Sequence, residues 1–217
     1  IADGFIDTVA KHHPTSATYM GVSGHDHLMN DYSPEAAEAF HAESLTALRA
    51  MEAAEPTNDR ERICKDTFID EASLSHEQFE SREHLRDMNV LFSPVQSIRS
   101  VFDLMPQDSV EAWENIASRM EKIGGALAGY RETLDIGRAE GLVASERQVN
   151  GTAEQCEAWA GNGDNSPFFD SLVNALAASD INNDSLSTRI ENASASATEA
   201  YDKMGEYLRE SYLPDAT

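Results

Sequence analysis

Seven prolines, at positions 14, 34, 56, 94, 106, 167 and 214, cut the chain into stretches within which apolar residues recur every three or four positions. Proline lacks an amide donor and clashes with the preceding turn, so a helix can start at it but not run through it. A three-to-four spacing marks one face of a helix, and no stretch shows a convincing strand. The chain therefore reads as a succession of helices.

Phe5, Ile6, Val9 and Ala10 form the first stripe, which Pro14 stops before a loop holding Gly21, Gly24 and Asn30. Ser33 and Pro34 open the next helix, with Phe40, Leu45, Leu48 and Met51 on its apolar face. From Asn58 to Met88 there is neither glycine nor proline, and Ile63, Phe68, Ala72, Ser75 and Phe79 keep a helical step. This predicts one long helix of about 45 Å, along which shorter helices pack. Ser93, Pro94 and Gln96 make a capping box for the stripe Val95, Ile98, Phe102 and Met105. Asp108 and Glu111 repeat that arrangement ahead of Trp113, Ala117, Met120 and Ile123, with a break expected at Gly124 and Gly125 and a left-handed stop at Gly141. Val149, Ala153, Cys156 and Trp159 mark a further helix, punctuated by Gly161, Asn162, Gly163 and Asp164. Ser166 and Pro167 start another, and the last runs from Leu186 through Tyr201 to Leu208, with a small-residue centre at Ala193 to Ala200. The expected fold is all-α, a multi-helix array of about eight or nine helices including one long helix, in a single domain over residues 1–217.

The 39 acidic residues outnumber 16 basic ones, for a formal net charge of −23. Nucleic acid and anionic membrane surfaces are excluded as partners, because both need clustered lysine and arginine. A hydrophobic share of 41% argues against disorder despite the charge. No run of about 18 apolar residues exists to span a bilayer. The opening Ile1, Ala2 and Asp3 do not resemble a secretory leader, and the lack of an initiator Met suggests a trimmed chain. A cytoplasmic location is expected, with Cys64 and Cys156 as buried thiols in a reducing compartment.

Few constellations suggest chemistry. His25, Asp26 and His27 offer metal-ligand types, but they lie in a loop and need a third ligand from elsewhere. His12 and His13 close the first helix, where the dipole favours a cation. His76 and Glu77 begin like the helical zinc motif HExxH, yet the position four after His76 is Glu80, and Glu83 and His84 do not repair it; a solvated helical face is the expectation. No nucleophile elbow or phosphate-cradling loop is present. The sequons at Asn150, Asn183 and Asn192 read as ordinary polar positions, and Trp113, Met120, Trp159, Phe168, Phe169 and Met204 as core.

The run Asn89, Val90, Leu91, Phe92, Ser93, Pro94, Val95, Gln96, followed by Ile98, Arg99, Phe102 and Pro106, resembles the bacterial domain-of-unknown-function family 885, whose members carry an N-P-L-x-x-P-V-Q run at this place. Pro14, Ala17, Thr18 and Gly21, then Asp26, Asp31, Tyr32 and Ser33, extend the likeness toward the start. Ala117, Arg119, Met120, Leu127, Tyr130, Leu134 and Gly137 look like its central helices, and Tyr207, Leu208, Leu213 and Pro214 like its linker helix. The resemblance implies an all-helical relative of carboxypeptidase Taq-like zinc peptidases, more than twice this length, with the zinc motif in the second half. It therefore implies that this chain is the N-terminal part, that it carries no zinc of its own, and that its partners are the remaining C-terminal half and a peptide substrate. Val90, where the family run has proline, departs from it, while Phe92 falls at one of its variable places. No zinc ligand or general base transfers to a position here.

Within this reading Gln96, Arg99 and Asp103 form a polar row beside the apolar stripe and are candidates to line a peptide cleft; Arg99 and Asp103 read equally as an ion pair one turn apart. If a second half packs against this chain, apolar surface should remain exposed along its long helices. The alternative is a stand-alone acidic helical interaction module without catalysis, and halophilic adaptation would account for the acid surplus without a partner.

Overall fold

The computed structural model describes residues 1–163 and 166–217, so Asp164 lies outside the described residues. Among them, ten α-helices follow one another: α1 (Ala2–His12), α2 (Pro14–Met20), α3 (Pro34–Ala53), α4 (Asp59–Glu80), α5 (Pro94–Ser100), α6 (Val110–Met120), α7 (Ile123–Ala139), α8 (Glu146–Trp159), α9 (Asp170–Ala177) and α10 (Asp184–Tyr207). Short 3-10 turns at Glu83–Arg86, Val101–Asp103 and Leu213–Asp215, and a π-turn at Leu208–Tyr212, complete the architecture. No strand occurs among the described residues, and the all-α expectation holds. The added helix is α2: Pro14 takes its first position, where its missing N–H has no helical partner to lose, rather than opening a loop.

The molecule is organised around α10, which packs on α6, α7, α8 and α9. Its small residues Ala193, Ser194 and Ala197 are buried, so neighbouring helices approach its axis closely. The core contains Phe102, Trp113, Ile116, Tyr130, Phe169, Tyr201 and Tyr212, all nearly inaccessible. Trp159 and Phe168 sit at its margin. At the far end, the Thr217 carbonyl accepts from Glu146 N at 3.0 Å, and the Tyr212 hydroxyl accepts from Ala144 N at 2.9 Å, tying the last turn to the α7–α8 connection.

The expected long helix over 58–88 is shorter and peripheral. α4 ends at Glu80 after 22 residues, about 33 Å, and has no buried residue. Arg82 then adopts a left-handed conformation (φ 61°), which turns the chain back so that Leu85 and Met88 enter the interior. Burying those two side chains outweighs continuing a solvated helix. Three other boundaries shift. Ser109, not Asp108, caps α6, accepting from Ala112 N at 3.2 Å. The break before α7 falls at Glu121 and Lys122, and Gly124 and Gly125 lie inside α7. α9 begins at Asp170, because Pro167 packs against left-handed Gly161 and Phe168 N still bonds back to Trp159 O.

α7 positions the outer helices. A Cβ on Gly129 would lie 2.8 Å from Ser33 N, and one on Gly137 would lie 2.3 Å from Leu85 O, so only glycine admits these two segments. The Thr133 hydroxyl donates to Tyr32 O (2.8 Å) and the Tyr130 hydroxyl to Asp87 O (2.6 Å). The start of α3 and the turn after α4 are thereby held on one scaffold, with a cleft between them.

Candidate functional site

That cleft has a volume of about 880 Å³ and is bounded by α3, α4, the 83–88 turn and residues 143–145. Four of the seven histidines line it: His13, His41, His76 and His84. The rings form a column. His41 stacks on Phe79 with centroids 3.9 Å apart, Phe79 stacks on His84 at 4.3 Å, and His41 stacks on His76 at 5.1 Å. His76 and Glu80 share one face of α4, a single turn apart, and both reach His41 across the α3–α4 hairpin. His76 Nδ1 lies 3.3 Å from His41 Nε2, which lies 3.6 Å from a Glu80 carboxylate oxygen. This is the one group of three or more metal-ligating side chains in mutual reach among the described residues.

Burial disfavours the charged form of several of these groups. Desolvation lowers the His41 pKa, reinforced by His76 and opposed by Glu80. It lowers His84, reinforced by Arg82 and His41 and opposed by Glu38. His13 is lowered by burial and then by His12, so its place at the end of α1 does not favour a cation as the helix dipole alone would. Burial also pushes the Asp87 carboxyl up. Ser44 Oγ and His84 Nδ1 are buried beside the cleft without a hydrogen-bond partner.

Gln96, Arg99 and Asp103, the sequence candidates for lining a peptide cleft, are not among the residues around this one. Gln96 is buried and consumed locally: its side-chain oxygen accepts from Ser93 N at 2.9 Å and from the Ser93 hydroxyl, completing the capping box, while its amide nitrogen donates to Gln155 at 2.6 Å. Arg99 pairs with Asp103 one turn on and lies over the Phe168 ring, 3.9 Å from its centroid. The Ser93–Gln96 box and the stripe of Val95, Ile98, Phe102 and Met105 are otherwise as expected.

His25, Asp26 and His27 are not gathered into a ligand cluster among the described residues. Asp26 accepts from the Thr18 hydroxyl at 2.7 Å, and the His25 and His27 carbonyls accept from Arg119 and Lys122. The solvated-face expectation for His76 and His84 is overturned by their packing with His41 and Phe79. Cys64 is exposed on α4, whereas Cys156 is buried and its thiol is pushed up by desolvation. His41 escaped sequence reasoning because nothing near it in the chain marks it. The available signal was the His76–Glu80 spacing, two ligand types one turn apart that the search for a second histidine passed over.

The fold has a solved counterpart. The chain is similar to a protein from Colwellia psychrerythraea described as a putative lipoprotein, with a TM-score of 0.76 and 17% identity over 96% of this chain and 40% of that one. It thus spans about 40% of that relative's length. No curated protein matches. A profile of the family described as "Bacterial protein of unknown function (DUF885)" matches residues 14–217, nearly the whole sequence, and the chain therefore belongs to that family.

Proposed function

We propose that this chain is the N-terminal helical wall of a longer protein, and that it shapes a cleft for a peptide substrate while a zinc-peptidase motif outside residues 1–217 performs the hydrolysis. The observation that carries the reading is the cleft of about 880 Å³ between the α3–α4 hairpin and the 83–88 turn, lined by flat rings and flanked by unpartnered polar atoms. Aromatic faces with a few polar groups suit a ligand such as a peptide. The net charge of −23 would draw basic segments toward it. A longer parent is supported by the 40% coverage of the structural relative. The exposure of Ile63 and Leu74 on α4, and of Leu91 and Phe92 ahead of α5, is what a docking half would cover. Gln96, Arg99 and Asp103 act in this reading as supports of α5 and not as peptide contacts.

The test has two parts. The 217-residue chain should bind short basic peptides without cleaving them, and the bound peptide should perturb the resonances of His41 and His84. The reading frame should continue past Thr217 into a segment with a His-Glu motif, and the longer product should hydrolyse peptides. Cleavage by the 217-residue chain alone overturns the reading. A second reading, an acidic interaction module acting alone, is favoured by the continuous buried core. A reading frame that stops at Thr217 would select it.

A further inference from the structure

We propose that His41, His76 and Glu80 hold a divalent transition-metal ion of the zinc type, which clasps α4 to α3 and presents an open coordination position to the cleft. Two imidazoles and one carboxylate are a recurrent ligand set for zinc. Ligands about 2.0–2.1 Å from a tetrahedral ion lie roughly 3.3 Å from each other. The His76 Nδ1 to His41 Nε2 separation is 3.3 Å, and His41 Nε2 to Glu80 is 3.6 Å. All three ligand atoms lie within 4.8 Å of one another, and the exposed Glu80 side chain is free to swing toward an ion held by the two half-buried imidazoles.

The surroundings favour an ion on independent grounds. His41 is sandwiched between Phe79 and His76, which fixes its ring plane. α4 contributes no fully buried residue, so a cross-link would add to the packing of Phe68 and Phe79 that holds it against its neighbours. Three protein ligands leave a fourth position, and two of the ligands, His41 and His76, line a cleft large enough for a small oxygen- or nitrogen-donor molecule. The proposal sets aside the expectation that this chain carries no metal of its own, and it does not depend on the peptide reading above.

The experiment uses the tag-free chain, stripped with chelator and titrated with Zn(II) and separately with Co(II). Expected are about one ion per chain, a Co(II) absorption of the intense type given by four-coordinate sites, and a rise in melting temperature on adding Zn(II) that Mg(II) does not produce. His41→Ala, His76→Ala and Glu80→Gln should each weaken Zn(II) binding by at least about tenfold, the lower bound seen for outer partners of metal ligands. His27→Ala and Cys64→Ser, which remove exposed ligands elsewhere, should leave it unchanged. Glu80 is exposed, so its variant retains the fold and decides the matter even if His41→Ala unfolds. Failure to bind Zn(II) at roughly 10 μM, or binding unaltered by Glu80→Gln and His76→Ala, overturns the proposal.

Discussion

Arg119 is fully buried on α6, yet no carboxylate among the described residues pairs with it. Its Nε donates to Leu28 O at 2.7 Å, and one Nη donates to His25 O and to the Thr18 hydroxyl at 3.0 Å each. The Thr18 hydroxyl in turn donates to Asp26. Desolvation brings the Arg119 pKa down to about 10, with the Asp26 charge opposing, so the guanidinium stays charged at neutral pH. Removing it strands two carbonyls and the carboxylate it neutralises. Arg119→Met should lower stability by about 3–5 kcal/mol in urea unfolding, and Arg119→Lys should recover only part, because an ammonium cannot reproduce the planar fork. The partners lie 91 and 94 residues from Arg119 in sequence, which is why the His25–Asp26–His27 loop looked like isolated metal ligands while its real anchor was invisible. The Ser93–Gln96 capping box was legible because both partners lie within one turn.

At the scale of elements, glycine carries two opposite meanings on one helix. Gly125 stands exposed near the start of α7, and a Cβ there would meet nothing within 4 Å. Gly137 sits where α7 meets the turn after α4, with Leu85 O at 2.3 Å and Leu142 O at 2.8 Å from the same added atom. Gly125→Ala should therefore stabilise the protein by about 0.5–1 kcal/mol through helix propensity. Gly137→Ala should destabilise it by about 3 kcal/mol or more, since backbone rather than a side-chain tip must yield. Thermal melting of the two variants reads both signs, and equal shifts would contradict the packing described. Sequence alone suggested a break at Gly124–Gly125, because spacing shows where glycine is but not what approaches it. The same limit hid the end of α4: the periodicity of 63–79 is helical, but the pull of Leu85 and Met88 into the core is tertiary. Helix identity was legible nearly throughout, and boundaries failed where a distant segment set them.

For the whole molecule, a net charge of −23 and the histidine cleft respond oppositely to acid. The window from about pH 7.5 to 5.5 brackets the ordinary imidazole pKa of about 6.5 and lies above the ordinary carboxylate values of about 4; hydrogen bonds hold Glu43, Glu61, Glu83 and Glu121 lower still. Added protons relieve repulsion among surplus negative charges and so favour the compact state. His13, His41 and His84 act against this. Their folded pKa values lie below the unfolded value of about 6.5, so the unfolded chain takes up protons first; their contribution is complete above that pH and is lost as pH falls through the folded values. Asp87, pushed up by burial, works in the other sense, as one group against three. Salt separates the terms, because roughly 0.5 M NaCl screens charges more than a few ångströms apart and leaves desolvation untouched. With chelator present, the urea midpoint should fall between about pH 7.5 and 5.5, and the fall should be steeper in high salt. The double variant His41→Asn/His84→Asn should flatten it. A midpoint that rises with acid in high salt would mean that the cleft does not hold its histidines neutral, and that surface charge alone governs how this molecule meets low pH.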